Sequence, residues 1–135
     1  MAEDKVAFEL VSPEALVLSR DVEMVVVPGS EGDFGVLPRH TPMISNVRPG
    51  VLRVYEKGQV TDRIFVAGGF AEVTLARCTV LADATTPVDE IDRAAAEKAL
   101  GDARDDLKDA KTDEERRDAE RRAAVSEAML QASES

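Results

Sequence analysis

The side chains able to do chemistry are few, and most of them stand between Ser30 and His40. His40 is the only histidine and Cys78 the only cysteine. A zinc or redox centre gathers several such ligands at fixed spacing, as in H-E-x-x-H, and no such set occurs here. A lone Cys78 also excludes an intrachain disulfide, and it reads as a small packing residue inside a strand. Ser30, Glu31, Asp33 and His40 are hydrolase residue types, yet sharing a loop does not bring a base within proton-transfer reach of a nucleophile. The glycine-rich run Gly29-Ser30-Glu31-Gly32-Asp33-Phe34-Gly35 lacks the lysine of a phosphate-binding loop, and its carboxylates would repel phosphate. Catalytic, metal and cofactor sites are therefore not expected. His40 is a loop histidine able to donate to a backbone carbonyl. Arg116-Arg117 and Arg121-Arg122 remain: Arg117 and Arg121, four apart, present planar positive forks on one helical surface. That surface suits either an acidic partner or nearby carboxylates such as Glu114, Asp118 and Glu120.

The elements that must position these groups are punctuated by Pro28–Gly50. Gly29, Gly32, Gly35 and Gly50 alternate there with Pro28, Pro38, Pro42 and Pro49, which predicts a shaped loop or β corner in place of an uninterrupted strand. Leu37, Met43, Ile44 and Val47 would anchor it. Before this stretch, Val6, Phe8 and Leu10 alternate as a half-buried strand does, Ala15–Leu18 offers a short second strand, and Val22–Val27 is a β-branched third. After it, Val51–Glu56, Val60–Ala67, Phe70–Leu75 and Cys78–Ala82 predict further strands, with Gly68-Gly69 permitting a sharp change of direction. Short strands without intervening helices favour a sandwich over a βαβ sheet.

The pattern changes after Pro87. Ile91, Ala94, Ala95, Ala99, Leu100, Ala103, Leu107 and Ala110 recur at helical spacing, with Asp89 or a neighbour as the cap. Lys111-Thr112-Asp113 breaks that helix, and a second over 113–131 places Ala119, Ala123, Ser126 and Leu130 on one face. The expected architecture is a mainly β N-terminal sandwich over 1–84 and a C-terminal antiparallel α-helical hairpin over 88–135. Small side chains bury little area, so the hairpin should be the weaker of the two.

Composition bounds the function. The net charge of −10, from 27 acidic and 17 basic residues, disfavours nucleic acid and anionic lipid as partners. Aromatic residues make up 4% of the chain, so an aliphatic core is expected. No apolar run reaches the length of a membrane span, and Met1–Lys5 lacks the start of a signal peptide, which predicts a soluble chain on the cytoplasmic side.

Gly32, Phe34, Gly35, Leu37, Pro38, His40 and Pro42 form a pattern that resembles the G-x-F/Y-G-x-L-P-x-H-x-P region of the ε subunit of bacterial F-type ATP synthases. The similarity continues through Pro49-Gly50-Val51-Leu52 and Gly68-Gly69-Phe70-Ala71-Glu72-Val73. It implies a non-catalytic central-stalk subunit whose sandwich joins the γ subunit to the membrane c-ring for proton-driven rotary ATP synthesis, on the cytoplasmic face of the inner membrane. It further implies a rotor interface at Glu31, Phe34, Val36, Leu37, Pro38, Arg39, His40, Thr41 and Pro42. The family's helices can restrain ATP hydrolysis, which would bring Arg116, Arg117, Arg121 and Arg122 toward the catalytic α and β subunits. A primarily inhibitory module is the alternative. Some members bind ATP through I/L-D-x-x-R-A; Ile91-Asp92-Arg93-Ala94-Ala95-Ala96 matches it except that Ala95 replaces the arginine.

Overall fold

A computed structural model describes residues 4–134, and the chain divides after Pro87 into two units. The first unit holds strands β1 (Val6–Val11), β2 (Leu16–Val22), β3 (Met24–Gly29), β4 (Gly32–Val36), β5 (Met43–Val47), β6 (Gly50–Glu56), β7 (Gln59–Val66), β8 (Gly69–Val73), β9 (Arg77–Ala82) and β10 (Thr85–Pro87). They form one hydrogen-bonded path, β10-β7-β6-β3-β5-β8-β9-β1-β2, with β4 attached to β3. Every pairing is antiparallel except β1 with β9. The sheet folds over on itself as a sandwich, and its alternating inner positions supply the core. Val6, Phe8 and Leu10 of β1 meet Val25, Val27, Leu52, Val54, Val73 and Val80 there. Valine dominates, as the scarcity of aromatic residues requires. Burying each such side chain contributes roughly 1.5–3 kcal/mol.

The stretch expected to be a loop is largely strand. β4 and β5 both lie inside it, and Pro28 and Gly29 end β3. Proline is tolerated because Pro28 sits where β3 changes neighbours, from β6 as far as Val26 to β5 at Gly29. Its carbonyl still accepts from the Arg48 N–H at 2.9 Å. Arg48-Pro49-Gly50 is thus the corner at which the chain passes from β5 into β6. At Gly50 an added Cβ would lie 3.0 Å from Pro28 Cβ, so these segments touch closely.

β2 runs past its expected end because Arg20, opposite Phe8, interrupts the apolar alternation without ending the strand. Arg20 pairs with Asp62 and, at 3.3 Å, with Glu56, linking the terminal strand β2 to β6 and β7. An inward-pointing charge of this kind also discourages edge-to-edge association. β10 was not foreseen: it is three residues ending in proline, a sequence too short to show alternation, and its pairing with β7 places it in the first unit.

The second unit comprises a 3-10 turn (Val88–Glu90) and helices α1 (Arg93–Asp109) and α2 (Asp113–Ser133). Of the capping candidates around Asp89 it is Asp92 that caps α1, accepting from the Ala95 N–H at 3.0 Å. Ala96, Leu100 and Ala103 make up its buried face, whereas Ala94, Ala95 and Ala99 are exposed. The expected stripe took in Ala94, Ala95 and Ala99 and left out Ala96; only the alanines in register with Leu100 face the partner helix. Thr112 caps α2 through the Glu115 N–H at 3.0 Å, while Glu115 accepts from the Lys111 N–H at 2.8 Å. Ala119, Ser126 and Ala132 are buried on α2; the anticipated Ala123 and Leu130 are half-buried. A 2.9 Å ion pair between Arg93 and Glu134 joins the start of α1 to the end of α2, so the helices run antiparallel.

Candidate functional site

β3 and β4 are joined by the turn Ser30-Glu31, with Gly29 opposite Gly32. Gly29 is obligatory by contact: an added Cβ would fall 2.8 Å from the Gly32 carbonyl and 2.9 Å from two carbons of the Phe34 ring. Phe34 thus packs over Gly29 and is half-buried. β4 is an edge strand whose one neighbour is β3.

The candidate interface residues are strung along this edge. Glu31 is exposed at the tip, and Leu37 through Pro42 follow the far end of β4, about 16 Å away for a strand of this length. The stretch therefore forms a band with two ends, where one loop had been expected. Val36 is 1% exposed and belongs to the core, so it supports the band from beneath. Leu37 is 56% exposed. The Leu37 carbonyl accepts from the His40 N–H at 3.2 Å, closing a turn over Pro38 and Arg39. Proline sets φ for the second position of such a turn, and Arg39 takes the left-handed third with φ 62°. His40 is half-buried, with Nδ1 2.6 Å from the Thr41 carbonyl oxygen. This contact orders the connector; among the described residues no acid or nucleophile is hydrogen-bonded to the imidazole. Among the described residues no cluster of histidine, cysteine and carboxylates is arranged to hold a metal.

Sequence reasoning passed over two features. Arg48 lies outside the glycine-rich pattern, yet its Nη1 donates to the Gly29 carbonyl at 2.7 Å and its Nη2 to Asp33 at 2.6 Å. Asp33 also faces Arg53 at 3.5 Å. The second feature is a cross-strand row: Phe70 pairs with Leu81, Leu81 with Val11 and Val11 with Leu16. Phe70, Leu81 and Leu16 are exposed. Strand alternation read one chain segment at a time could not reveal a row that only the register assembles.

On α2 the arginines are exposed but mostly engaged. Arg116 pairs with Asp113 at 3.0 Å, and Arg121 with Asp118 at 2.8 Å. Arg122 bridges Asp118 at 2.8 Å and, across the hairpin, Asp106 of α1 at 3.0 Å. Hydrogen bonds from Arg122, then Arg121, hold the Asp118 carboxyl below its ordinary range, and Asp118 followed by Asp106 raises Arg122. Among the described residues, Arg117 makes no ion pair. The nucleotide pattern fits poorly: Asp92 is used as a helix cap, Ala95 has no side-chain donor and its N–H is taken by that cap, and Arg93 is occupied by Glu97 and Glu134. A cleft on the hairpin is lined by Asp106, Asp109, Glu115 and Asp118 around Arg122, a charge balance that opposes polyphosphate.

Residues 5–88 match the ATP synthase Delta/Epsilon chain beta-sandwich domain. The ATP synthase epsilon chain of Rhodospirillum centenum is 55% identical over 132 residues, covering 94% of this chain and 90% of the relative. That of Rhodospirillum rubrum is 54% identical, covering 93% of each. Among solved structures, a chain of the Euglena gracilis mitochondrial ATP synthase, in an OSCP/F1/c-ring assembly, superposes with a TM-score of 0.81 at 25% identity, covering 96% of this chain and 81% of that one. A chain of the Tetrahymena thermophila mitochondrial ATP synthase shares the fold, with a TM-score of 0.74 at 16% identity and coverage of 97% and 98%. With sandwich, helical hairpin and full-length relatives in agreement, the chain belongs to the ATP synthase epsilon chain family and is a non-catalytic central-stalk subunit of the F-type ATP synthase.

Proposed function

We propose that the sandwich fastens the γ subunit to the c-ring, so that proton-driven rotation reaches the catalytic subunits on the cytoplasmic side of the bacterial inner membrane. Among the described residues no helix is long and apolar enough to cross a membrane, and on this reading the attachment to the membrane is made through the c-ring. The observation that carries it is the edge band from Glu31 to Pro42, anchored on the core through Val36 and presenting exposed Leu37. The exposed row of Phe70, Leu81 and Leu16 offers a second apolar contact elsewhere on the sandwich. The band supplies surface and shape, and the chemistry takes place in other chains. Reconstituted synthase with and without this chain should differ in ATP synthesis per proton translocated. Equal coupling in its absence would end the proposal.

A second reading concerns regulation. The α2 arginines would meet acidic surfaces of the α and β subunits when the hairpin opens, restraining ATP hydrolysis. Arg122 favours it, because opening frees its guanidinium from Asp106. Restraint also requires the open state to bind more tightly than the closed one. Truncation after Pro87, which keeps β10, should then raise hydrolysis while leaving assembly intact. Unchanged hydrolysis under energised and de-energised conditions would count against it.

A further inference from the structure

We infer that Arg48 is the positioning residue of the β3–β4 hairpin tip, and that its grip sets where Glu31 is presented to a rotor partner. The second clause rests on the proposed rotor contact; the first stands on geometry alone. Beyond Val26, β3 has left β6, and its ladder to β5 is the single pair Gly29 with Val47. A hairpin extending past that point would pivot about β3 unless something tied it to the neighbouring layer. Arg48 makes the tie through separate groups. Its backbone N–H donates to the Pro28 carbonyl at 2.9 Å, its Nη1 to the Gly29 carbonyl at 2.7 Å, and its Nη2 to the Asp33 carboxylate at 2.6 Å. One side chain therefore holds both strands of the hairpin, β3 by a carbonyl and β4 by a carboxylate. Arg53 supports Asp33 from β6 at 3.5 Å. Next to this clamp, the Ser30 N–H donates to the Asn46 carbonyl at 3.0 Å, the last tie before the tip.

The planar guanidinium is essential to this arrangement, since its nitrogens diverge toward different acceptors. Lysine keeps the charge but has one nitrogen, so Arg48→Lys separates charge from grip. Amide hydrogen exchange on the full chain gives the first readout. Arg48→Lys should speed exchange of the Ser30 and residue-48 amides about tenfold, the loss of about one charge-assisted hydrogen bond. The β8 and β9 amides should be unaffected. Asp33→Asn should give a smaller increase, and Asp33→Glu should recover part of the protection. Unchanged Ser30 exchange in Arg48→Lys, or equal loosening of β8 and β9, overturns the clamp. The second readout is the ratio of protons pumped to ATP hydrolysed, in reconstituted synthase carrying the full complement of each variant. A lower ratio in Arg48→Lys is expected, whereas a loosened tip with an unchanged ratio overturns the link to the partner. Glu31→Lys with Leu37→Asp separates the two ideas: normal pumping there refutes the rotor contact itself and leaves the exchange result standing.

Discussion

Gly29→Ala is the substitution whose outcome most directly tests how the edge band is built. The new Cβ would lie 2.8 Å from the Gly32 carbonyl and 2.9 Å from two Phe34 ring carbons, with one of the obstacles being backbone. Relief requires the turn at Ser30-Glu31 to open and the ring to leave its seat. Overpacking of this kind costs about 2 kcal/mol, and the lower entropy of the unfolded alanine chain returns about 0.5. The net loss of about 1.5 kcal/mol should lower the melting temperature of the sandwich by about 6–12 °C. Gly35→Ala is the control within the same hairpin, because there the nearest atom is the flexible Met24 sulfur at 3.5 Å. That variant should be neutral or slightly stabilising, within about 0.5 kcal/mol of the parent. Thermal melts followed by the β-sheet signal, with hydrogen exchange at Ser30, measure both. Adding Phe34→Leu to Gly29→Ala should recover part of the loss, since it removes the ring but not the Gly32 carbonyl. A Gly29→Ala protein as stable as the parent, or a Gly35→Ala protein equally damaged, would refute the packing argument.

Other substitutions test the remaining elements. At Gly69, φ is +145° and an added Cβ would sit 2.1 Å from the Leu81 carbonyl, so Gly69→Ala should cost about 3 kcal/mol or more and loosen β8 from β9 in exchange experiments. Gly58→Ala, with open space at φ +72°, should cost only about 1 kcal/mol by chemical denaturation. Burial pushes the Cys78 thiol up from 9.0 to about 12. Because folding favours the protonated form, this contribution to stability is complete below pH 9 and disappears as pH rises toward 12. The folded chain should therefore resist thiol reagents at pH 8, and labelling faster than unfolding would contradict the buried placement. Asp106→Asn removes the cross-hairpin partner of Arg122, and spin labels on α1 and α2 should report a broader distance distribution, with high salt acting on the parent in the same direction. Identical distributions in both proteins would show that the pair contributes nothing to closure.

Local pattern settled a good deal. Alternation of Val6, Phe8 and Leu10 identified β1 because burial on one face of a strand leaves a period of two in the chain itself. Lys111-Thr112-Asp113 marked the start of α2 for a similarly local reason, since the cap found there, Thr112, bonds to the Glu115 amide a few residues away. The stretch around Pro38 and His40 carried the family resemblance, and the turn over Pro38 and Arg39 needs only neighbouring residues. What local pattern missed depended on partners far along the chain. Pro28 and Gly29 looked like loop residues, yet they extend β3 because β5 and β6 meet there. Gly29 and Gly35 are indistinguishable as letters; a Phe34 ring folded back over one of them makes it irreplaceable. Arg48 had no local distinction at all, and became the grip on the hairpin only when the corner brought it to Gly29 and Asp33. Periodicity records which side of an element is buried, but sheet register and the reach of a long side chain depend on distances that only the folded chain defines.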